Sequence, residues 1–194
     1  MQQQFVYLAS QSPRRRELLT QIGVAFETLD VEVDETRLEA EQPQQYVERV
    51  ALLKAKAGYE KLSGRTDRPV LGADTTVVLD EQCLGKPENT ASAMHMLHSL
   101  SGRQHEVLSA VALITTDNTY TALSRSQVTF DDVSDAQIQA YCESGEPLGK
   151  AGAYAIQGRG AVFVRQLQGS YSGVMGLPVY ETAQLLRQAS EALT

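Results

Sequence analysis

The chain has 194 residues, which suits one domain or two small lobes around a cleft, and it can bury a core without disulfides. Hydrophobic residues make up 42% of the chain and charged residues 21%, so the composition excludes a disordered protein, and no apolar run is long enough for a membrane span. The net charge of −7 argues against nonspecific binding of nucleic acid, although it allows a local basic pocket. The two cysteines, Cys83 and Cys142, are far apart and favour free thiols in a reducing cytoplasm.

The apolar pattern predicts strands and helices that are mixed along the chain rather than strictly alternating. Strands are predicted at residues 5–9, 26–33, 70–79, 107–115, 119–130 and 161–167. Helices are predicted at residues 13–22, 43–62, 90–100, 134–144 and 179–192, and a surface loop at residues 63–69. Because two of the strands form a hairpin around Asp117 and Asn118, we expect an α/β fold with a mixed sheet.

The start of the first predicted helix combines the features of a phosphate site. Ser12 can cap this helix, Pro13 suits its first position, and Ser10 adds a second hydroxyl group. Arg14, Arg15 and the arginine after them fall in the first turn, where the helix dipole makes cations unfavourable unless an anion binds. Backbone N–H groups, hydroxyls and guanidinium groups together suit a phosphate. The alternative is a capped helix whose arginines are solvated.

One lysine interrupts the apolar face of the second predicted helix. Val47, Val50, Ala51 and Lys54 follow helical spacing, so this face is apolar except at the lysine. The side chain must extend to solvent or meet an anion, and taken alone the first alternative is favoured. If Lys54 binds phosphate, its replacement by methionine should weaken triphosphate binding and leave thermal stability equal or higher.

A single carboxylate interrupts the strongest strand signal, at residues 70–79. The nearly continuous apolar run indicates a strand buried on both faces, where Asp74 is costly unless it meets a cation or several donors. Metal coordination, a lysine partner or service as a general base would each account for it, and backbone N–H donors are the alternative. Upstream, Asp34 and Glu35 could join Asp74 around Mg²⁺, although a solvated loop is favoured for them alone.

Two glycine-containing loops present further polar groups. Lys86 lies in a turn at residues 84–87, and a long glycine-rich loop covers residues 145–154. Gln157 follows this loop, and its amide can donate and accept hydrogen bonds together, which suits the edge of a nucleobase. The sequence contains neither a Walker A loop nor a nucleophile-elbow motif. The cations and few acids that remain favour phosphoryl chemistry by positioning and metal assistance.

In combination these motifs resemble the Maf family of nucleotide pyrophosphatases over nearly the whole chain, from Leu8 to Leu186. The motifs that carry the resemblance are Ser10-x-Ser12-Pro13-Arg14-Arg15, Asp34-Glu35, Lys54-Ala55, Gly72-Ala73-Asp74-Thr75, Gly85-Lys86-Pro87, Gly145-Glu146-Pro147, Lys150-Ala151-Gly152-Ala153-Tyr154, Ile156-Gln157-Gly158, and Gly169-Ser170-Tyr171 through Gly176-Leu177-Pro178. The resemblance implies an elongated α/β fold, with a mixed twisted sheet and flanking helices, in which residues 1–194 form a single domain of two lobes around a central cleft. It also implies a homodimer, a divalent metal cation (Mg²⁺ or Mn²⁺) and a cytoplasmic location, with no nucleic-acid or membrane partner.

Three positions group the chain with the members of that family that act on dTTP and UTP. Those members carry Pro-Arg-Arg, Asp-Thr and Ile-Gln-Gly, and this chain has Arg14, Thr75 and Gln157 at the positions tied to substrate choice. Members that act on 7-methyl-GTP carry a tryptophan after the proline and a glutamine after the aspartate. Two positions depart from the family pattern, since Gly149 stands where an acid is common and Gly173 where a polar residue is common.

The resemblance also assigns roles to individual residues. Asp74 is the expected general base for attack of water on the α-phosphorus. Glu35 and Asp74 are the expected catalytic carboxylates and metal ligands. The residues expected to bind the triphosphate are Ser10, Ser12, Arg14, Arg15, Lys54 and Lys86. The expected reaction converts dTTP, UTP or modified pyrimidine nucleotides into the monophosphate and pyrophosphate. Two alternatives are a nucleotide-binding regulator of cell division or septum formation without important turnover, and a pyrophosphatase for a modified purine nucleotide.

Overall fold

A mixed sheet of seven strands forms the centre of the computed structural model, which describes residues 4–63 and 66–191. The strands are β1 (Phe5–Leu8), β2 (Ala25–Thr28), β3 (Val70–Leu79), β4 (Gln82–Leu84), β5 (Gln104–Ile114), β6 (Thr119–Phe130) and β7 (Val164–Gln168). The helices are α1 (Pro13–Gln21), α2 (Pro43–Lys61), α3 (Thr90–Leu100), α4 (Asp135–Glu143), α5 (Tyr171–Met175) and α6 (Val179–Glu191). None of these described helices is long and apolar enough to cross a membrane.

The strand order places β3 near the middle of the sheet. Along the sheet the order is β2-β1-β3-β5-β6-β7, and the short β4 pairs with the end of β3. β1 runs parallel to β2 and β3, whereas β3, β5, β6 and β7 form successive antiparallel pairs. The predicted α/β fold with a mixed sheet and flanking helices is therefore confirmed, and the predicted hairpin corresponds to β5 and β6. The division of one domain into two lobes stays a prediction.

The predicted bounds agree with the structure for β3, α3 and β6. The strand predicted at residues 26–33 is shorter, because β2 ends at Thr28 and residues 29–38 have no regular secondary structure. The strand predicted at residues 161–167 begins only at Val164, since Arg159–Phe163 forms a 3₁₀ turn. Gly64 and Arg65 of the predicted loop, and Ala192 of the last predicted helix, lie outside the described residues.

Helix α2 packs directly against β3 because Gly72 has no side chain. A Cβ atom at Gly72 would collide with the backbone oxygen of Ala51 and would lie 2.5 Å from the backbone nitrogen of Ala55. The helix therefore lies with its backbone against the strand. Lys54 is on this turn of α2 and Asp74 is two residues further along β3, so the close approach brings the two side chains together.

The apolar core has one large cluster on the α3 and α4 side and another on the α1 and α6 side. The first contains Leu97, Leu100 and Phe130, all almost completely buried. The second contains Leu19, which is fully buried, and joins α1 and α6 to the sheet. Met175 of α5 packs against both clusters, so α5 lies at their junction.

Candidate active site

A single cleft of about 380 Å³ brings the predicted site residues together. Every one of them lines it: Ser10, Ser12, Arg14, Arg15, Glu35, Lys54, Asp74, Thr75, Lys86 and Gln157. A larger and more open groove of about 510 Å³, formed by β5, β6 and the start of α2, is lined by none of these residues. The convergence of polar groups therefore makes the cleft the candidate site.

An acid–lysine centre lies in this cleft. Lys54 Nζ is 2.8 Å from Glu35 Oε1 and 2.8 Å from Asp74 Oδ1, so both carboxylates converge on one ammonium group. The side chains of Lys54 and Asp74 are 12% and 9% exposed, and that of Glu35 is 40% exposed. Of the alternatives that the sequence allowed for Asp74, the structure therefore shows a lysine partner. No described residue donates a hydrogen bond to the second carboxylate oxygen, Asp74 Oδ2.

The electrostatics of the centre are dominated by its acids, because two carboxylates share one ammonium group. Burial by itself would raise the pKa of Glu35, but the hydrogen bond and charge of Lys54 bring the pKa below its ordinary value. Burial, together with the negative charges of Asp74 and Glu35, raises the pKa of Tyr46 to about 12. The neighbouring phenol therefore stays protonated while the carboxyl group of Glu35 is ionised.

The loop that carries Glu35 has no regular secondary structure, but side chains hold it in place. Arg49 of α2 binds the carboxylate of Glu41 through two hydrogen bonds of 2.6 and 2.8 Å and donates a third, of 3.0 Å, to the backbone oxygen of Thr36. Arg37 donates to the backbone oxygen of Glu41. Sequence reasoning missed this network, in which a second cation of α2 positions the segment that bears Glu35.

At the start of α1, the predicted N-cap position is confirmed, but the capping hydrogen bond expected from the Ser12 side chain is absent. Ser12 stands at the N-cap position, but its side chain makes no capping hydrogen bond; its backbone nitrogen instead donates to Ser10 Oγ at 3.2 Å. Arg15 is almost buried, and it donates to Ser10 Oγ at 2.9 Å and to the backbone oxygen of Gly176 at 2.8 Å. These bonds join α1 to the turn after α5, so the Arg15 side chain is held rigidly against the cleft.

Three further cations of the cleft have no acidic side chain within 4 Å among the described residues. They are Arg14, Lys86 and Lys150. Lys150 was not predicted as a site residue, although its position in the glycine-rich loop was the available signal. Burial and then the positive charge of Arg14 lower the pKa of Lys150, whose Nζ donates to the backbone oxygen of Glu146 at 2.7 Å.

Backbone contacts join the two loops that carry Lys86 and Lys150. The backbone nitrogen of Gly152 donates to the backbone oxygen of Gly85 at 3.1 Å. Gly149, which departs from the family pattern, lines the cleft with a φ of +74°, a conformation that favours glycine over a side chain with a Cβ atom. The loop thus lies against the cleft by its backbone and contributes its lysine.

The cleft is also lined by Gln157, whose amide makes no hydrogen bond to a described residue. Glu146 holds the segment that follows Gln157. Its carboxylate accepts from Tyr141 Oη at 2.9 Å, from the backbone nitrogen of Arg159 at 3.0 Å and from that of Gly160 at 3.2 Å. These hydrogen bonds close the turn around the glutamine. Glu146 was not predicted as a site residue, because its contacts are with backbone atoms that a sequence pattern does not mark.

Thr75 lies on the α5 side of the cleft. Its Oγ1 is 2.8 Å from Ser109 Oγ, which donates to the backbone oxygen of Gly173 at 2.6 Å. Gly173 is the second departure from the family pattern, and a Cβ atom there would lie 3.1 Å from Ser170 Cβ and 3.4 Å from Ser124 Oγ. Glycine therefore allows α5 to pack tightly against the serines of β5 and β6.

The cleft of this α/β fold contains cations without an acidic partner, an acid–lysine centre and a free amide. This combination is typical of a protein that binds a small polyanion which also carries a polar group. The chain belongs to the Maf-like protein family, which matches residues 5–189. The predicted family and the predicted class of nucleotide pyrophosphatase are thereby confirmed.

Relatives of high identity span almost the same length. A dTTP/UTP pyrophosphatase of Cupriavidus pinatubonensis (strain JMP 134 / LMG 1197) is 54% identical over 193 residues, which cover 95% of this chain and 96% of the relative. A dTTP/UTP pyrophosphatase of Xanthomonas euvesicatoria pv. vesicatoria (strain 85-10) is 56% identical over 183 residues, which cover 93% and 96%. The solved structure of the Staphylococcus aureus Ham1 protein is 13% identical with a TM-score of 0.54, covering 98% of this chain and 100% of that one, and shares the fold.

Proposed function

We propose that this chain hydrolyses dTTP and UTP, and related modified pyrimidine nucleotides, to the monophosphate and pyrophosphate. The observation that carries the proposal is the acid–lysine centre of Glu35, Lys54 and Asp74, which shares one cleft with unpaired cations and a free amide. The two relatives described above, at 54% and 56% identity, act on the same nucleotides by name. The cleft offers what this reaction requires, namely cations for phosphates, a carboxylate for water and a polar group for the base.

The triphosphate binds to the cationic wall of the cleft. Arg14, Lys86 and Lys150 have no acidic partner among the described residues, so their charges are available to phosphate oxygens. Ser10 and Ser12 offer hydroxyl and backbone groups at the start of α1. Arg15 adds its positive charge from a fixed position. These cations also offset the charge of the departing pyrophosphate, which lowers the barrier for its release.

Asp74 accepts the proton of the attacking water. Lys54 occupies Oδ1, whereas Oδ2 has no donor among the described residues and is available to a water molecule. The water attacks the α-phosphorus in line with the leaving pyrophosphate, its proton passes to Asp74, and the bond between the α-phosphorus and the bridging oxygen breaks. Lys54 is positioned to reach a phosphate oxygen on the same side.

The donor set of the centre fits a hard divalent cation. Glu35 and Asp74 converge, and their carboxylates outnumber the single ammonium group of Lys54. These two residues would hold Mg²⁺ or Mn²⁺, which in such sites uses one or two carboxylates together with substrate phosphates and waters. No group of three or more histidine, cysteine or acidic side chains that could hold a metal is found within the described residues. When bound, the metal would polarise a phosphate oxygen.

The base is selected by Gln157. Uracil and thymine present an N3–H donor flanked by carbonyl acceptors, and the free amide of Gln157 can pair with both kinds of group. Cytosine presents an unprotonated N3 and an amino group, so the same amide would lose these bonds or have to turn over. Thr75 and Arg14 line the same cleft and complete the predicted specificity positions.

The proposal is tested by measuring pyrophosphate release from a panel of nucleotides with Mg²⁺ or Mn²⁺. Wild type should prefer dTTP and UTP over dCTP and purine triphosphates, and Asp74→Asn should lose on the order of 10²-fold or more in kcat. Asp117→Asn is the matched control, because Asp117 is exposed in the turn between β5 and β6, outside the cleft. Normal turnover by a folded Asp74→Asn variant would refute the role of Asp74 as general base. Absence of pyrophosphate release by wild type would favour a nucleotide-binding regulator, and a preference for a modified purine would favour the other alternative.

A homodimer and a cytoplasmic location belong to the same proposal, since both rest on the resemblance to the family. The free thiols of Cys83 and Cys142 agree with a reducing compartment. Light scattering of the purified chain would give the mass of the particle in solution, and a mass of one chain would refute the dimer.

A further inference from the structure

The hydroxyl groups of Thr75 and Ser109 form a hydrogen-bond chain whose direction is determined by its last member. Each hydroxyl has one proton to donate, whereas a carbonyl oxygen can only accept. Ser109 Oγ is 2.6 Å from the backbone oxygen of Gly173, so the proton of Ser109 is committed to that bond. Thr75 Oγ1 is 2.8 Å from Ser109 Oγ, and since Ser109 has no second proton, Thr75 must donate to it.

Thr75 can therefore offer only lone pairs to a molecule in the cleft. Ser109 is 1% exposed, so water does not compete for its bonds. Gly176 lines the cleft, and a Cβ atom there would meet Thr75 Oγ1 at 4.0 Å as its nearest described neighbour, so Oγ1 borders the open space of the cleft.

We propose that Ser109 is a specificity-positioning residue, which makes Thr75 an acceptor-only group and thereby selects a nucleotide that donates a hydrogen bond at this point. The inference rests on the proposed function, because it concerns the nucleotide that this cleft accepts. A hydroxyl that is free to turn would accept or donate according to its partner and would discriminate little. A hydroxyl held as an acceptor is left unpaired, or is repelled, when the ligand presents another acceptor.

Two donors of dTTP have the required chemistry. One is the N3–H group of the base, which cytosine lacks and which would then pair with Thr75 while Gln157 pairs with a carbonyl oxygen of the base, and the other is the 3′-hydroxyl group of the sugar. dCTP replaces the first donor with the acceptor N3 of cytosine and 3′-O-methyl-dTTP replaces the second with an ether oxygen, so the two nucleotides distinguish the sources and each gives a freed Thr75 hydroxyl an acceptor to which it can donate. The ratio of kcat/KM for dTTP to that for each analogue measures how strongly the cleft requires the donor.

Ser109→Ala removes the group that orients Thr75, and β6 supplies a matched control. Ser124 lies directly opposite Ser109 in the pairing of β5 with β6 and is also buried, but it is not a member of the hydrogen-bond chain. Ser124→Ala therefore removes the same atom from the same part of the sheet without freeing Thr75. Melting temperatures of both variants report how far each loss disturbs the fold.

For wild type and Ser124→Ala, the ratio for at least one analogue should favour dTTP. In Ser109→Ala that ratio should fall by about 3- to 10-fold, the usual value of one hydrogen bond. If Ser109 acts through Thr75, Thr75→Val should produce the same fall, and Ser109→Ala should add nothing in a Thr75→Val background. If Ser109→Ala does not fold, the kcat/KM ratios of wild type and Thr75→Val are compared instead.

Three outcomes would overturn the inference. They are equal use of all three nucleotides by wild type, an unchanged ratio in Ser109→Ala or Thr75→Val, and an equal change in Ser124→Ala. A wild type that releases pyrophosphate from dTTP while these ratios stay constant refutes only the role of Ser109. A wild type that cuts neither dTTP nor UTP refutes the proposed function and the inference with it.

Discussion

Replacement of Lys54 by methionine should destabilise the protein, which is the reverse of the expectation drawn from the sequence. The sequence indicated no protein anion for Lys54, so its removal was expected to leave the thermal stability equal or higher. The structure instead gives it two carboxylate partners, Glu35 and Asp74, at 2.8 Å each. Methionine would keep the apolar stem and remove the ammonium group that contacts both acids, which leaves them only the charges of Arg15 and Lys86 beyond 4 Å.

The magnitude follows from how deeply each partner is buried. Asp74 is 9% exposed, and an uncompensated charge at such a site costs roughly 3–5 kcal/mol as an upper limit. Glu35 is 40% exposed and can turn towards solvent, so its share is largely screened. We expect a net loss of about 2 kcal/mol at neutral pH, which for a chain of this size lowers Tm by about 4–8 °C.

The pH dependence gives the prediction a second readout. Lys54 lowers the pKa of Glu35 in the folded protein, so this contribution is fully present above the ordinary pKa of a glutamate and is lost as pH falls through the lowered value. The Tm difference between wild type and Lys54→Met should therefore be complete at pH 7 and decrease on acidification through the carboxylate range. Scanning calorimetry over this range measures it, with Lys56→Met, an exposed lysine of the same helix, as the control. Equal melting of Lys54→Met, Lys56→Met and wild type at pH 7 would refute the reasoning.

The remaining predictions concern the loop side of the cleft. Lys150→Met should raise KM for dTTP about tenfold with a smaller effect on kcat, because it removes a phosphate contact made before and during the reaction; an unchanged KM would exclude that contact. Glu146→Gln should lower Tm by a few degrees and accelerate amide hydrogen exchange at Arg159 and Gly160, because the NH₂ group of glutamine replaces one of the two acceptor oxygens. Unaltered exchange would contradict this prediction. Gln157→Ala should narrow the preference for dTTP and UTP over dCTP while largely sparing the cleavage of the triphosphate, and steady-state kcat/KM values for the three nucleotides decide this.

Elements with strong local signals were predictable from the sequence. The buried apolar run of β3 has no other interpretation that suits its length, and the bounds of α3 follow from a real capping box at Asn89 and Ser92. α5 was missed because five residues are fewer than two helical turns, too short for a periodic pattern to develop. β4 has three residues and was missed for the same reason.

The site residues were predictable as a set, but their contacts were not. Each predicted position lines the cleft, because the ordered motifs identify the family and the family implies the roles. The pairing of Lys54 with Asp74 depends on the missing side chain of Gly72, which lets α2 approach β3, and helical spacing carries no information about that approach. Long-range contacts of this kind also explain why Glu146 was overlooked, since its carboxylate binds backbone groups more than ten residues away along the chain.

The arrangement of charges explains how a chain with a net charge of −7 can take up a nucleoside triphosphate. A negative surface repels the nucleotide at long range, but this repulsion is screened over about 8 Å at physiological ionic strength. Within the cleft the field is set by nearby groups, and there Arg14, Lys86 and Lys150 have no acidic partners among the described residues. The acids of the cleft are confined to one centre, where Lys54 holds them together. In the proposed function, Lys54 joins the carboxylates that handle water to the cations that bind phosphate, and the α-phosphorus is the part of the substrate that must lie beside this centre.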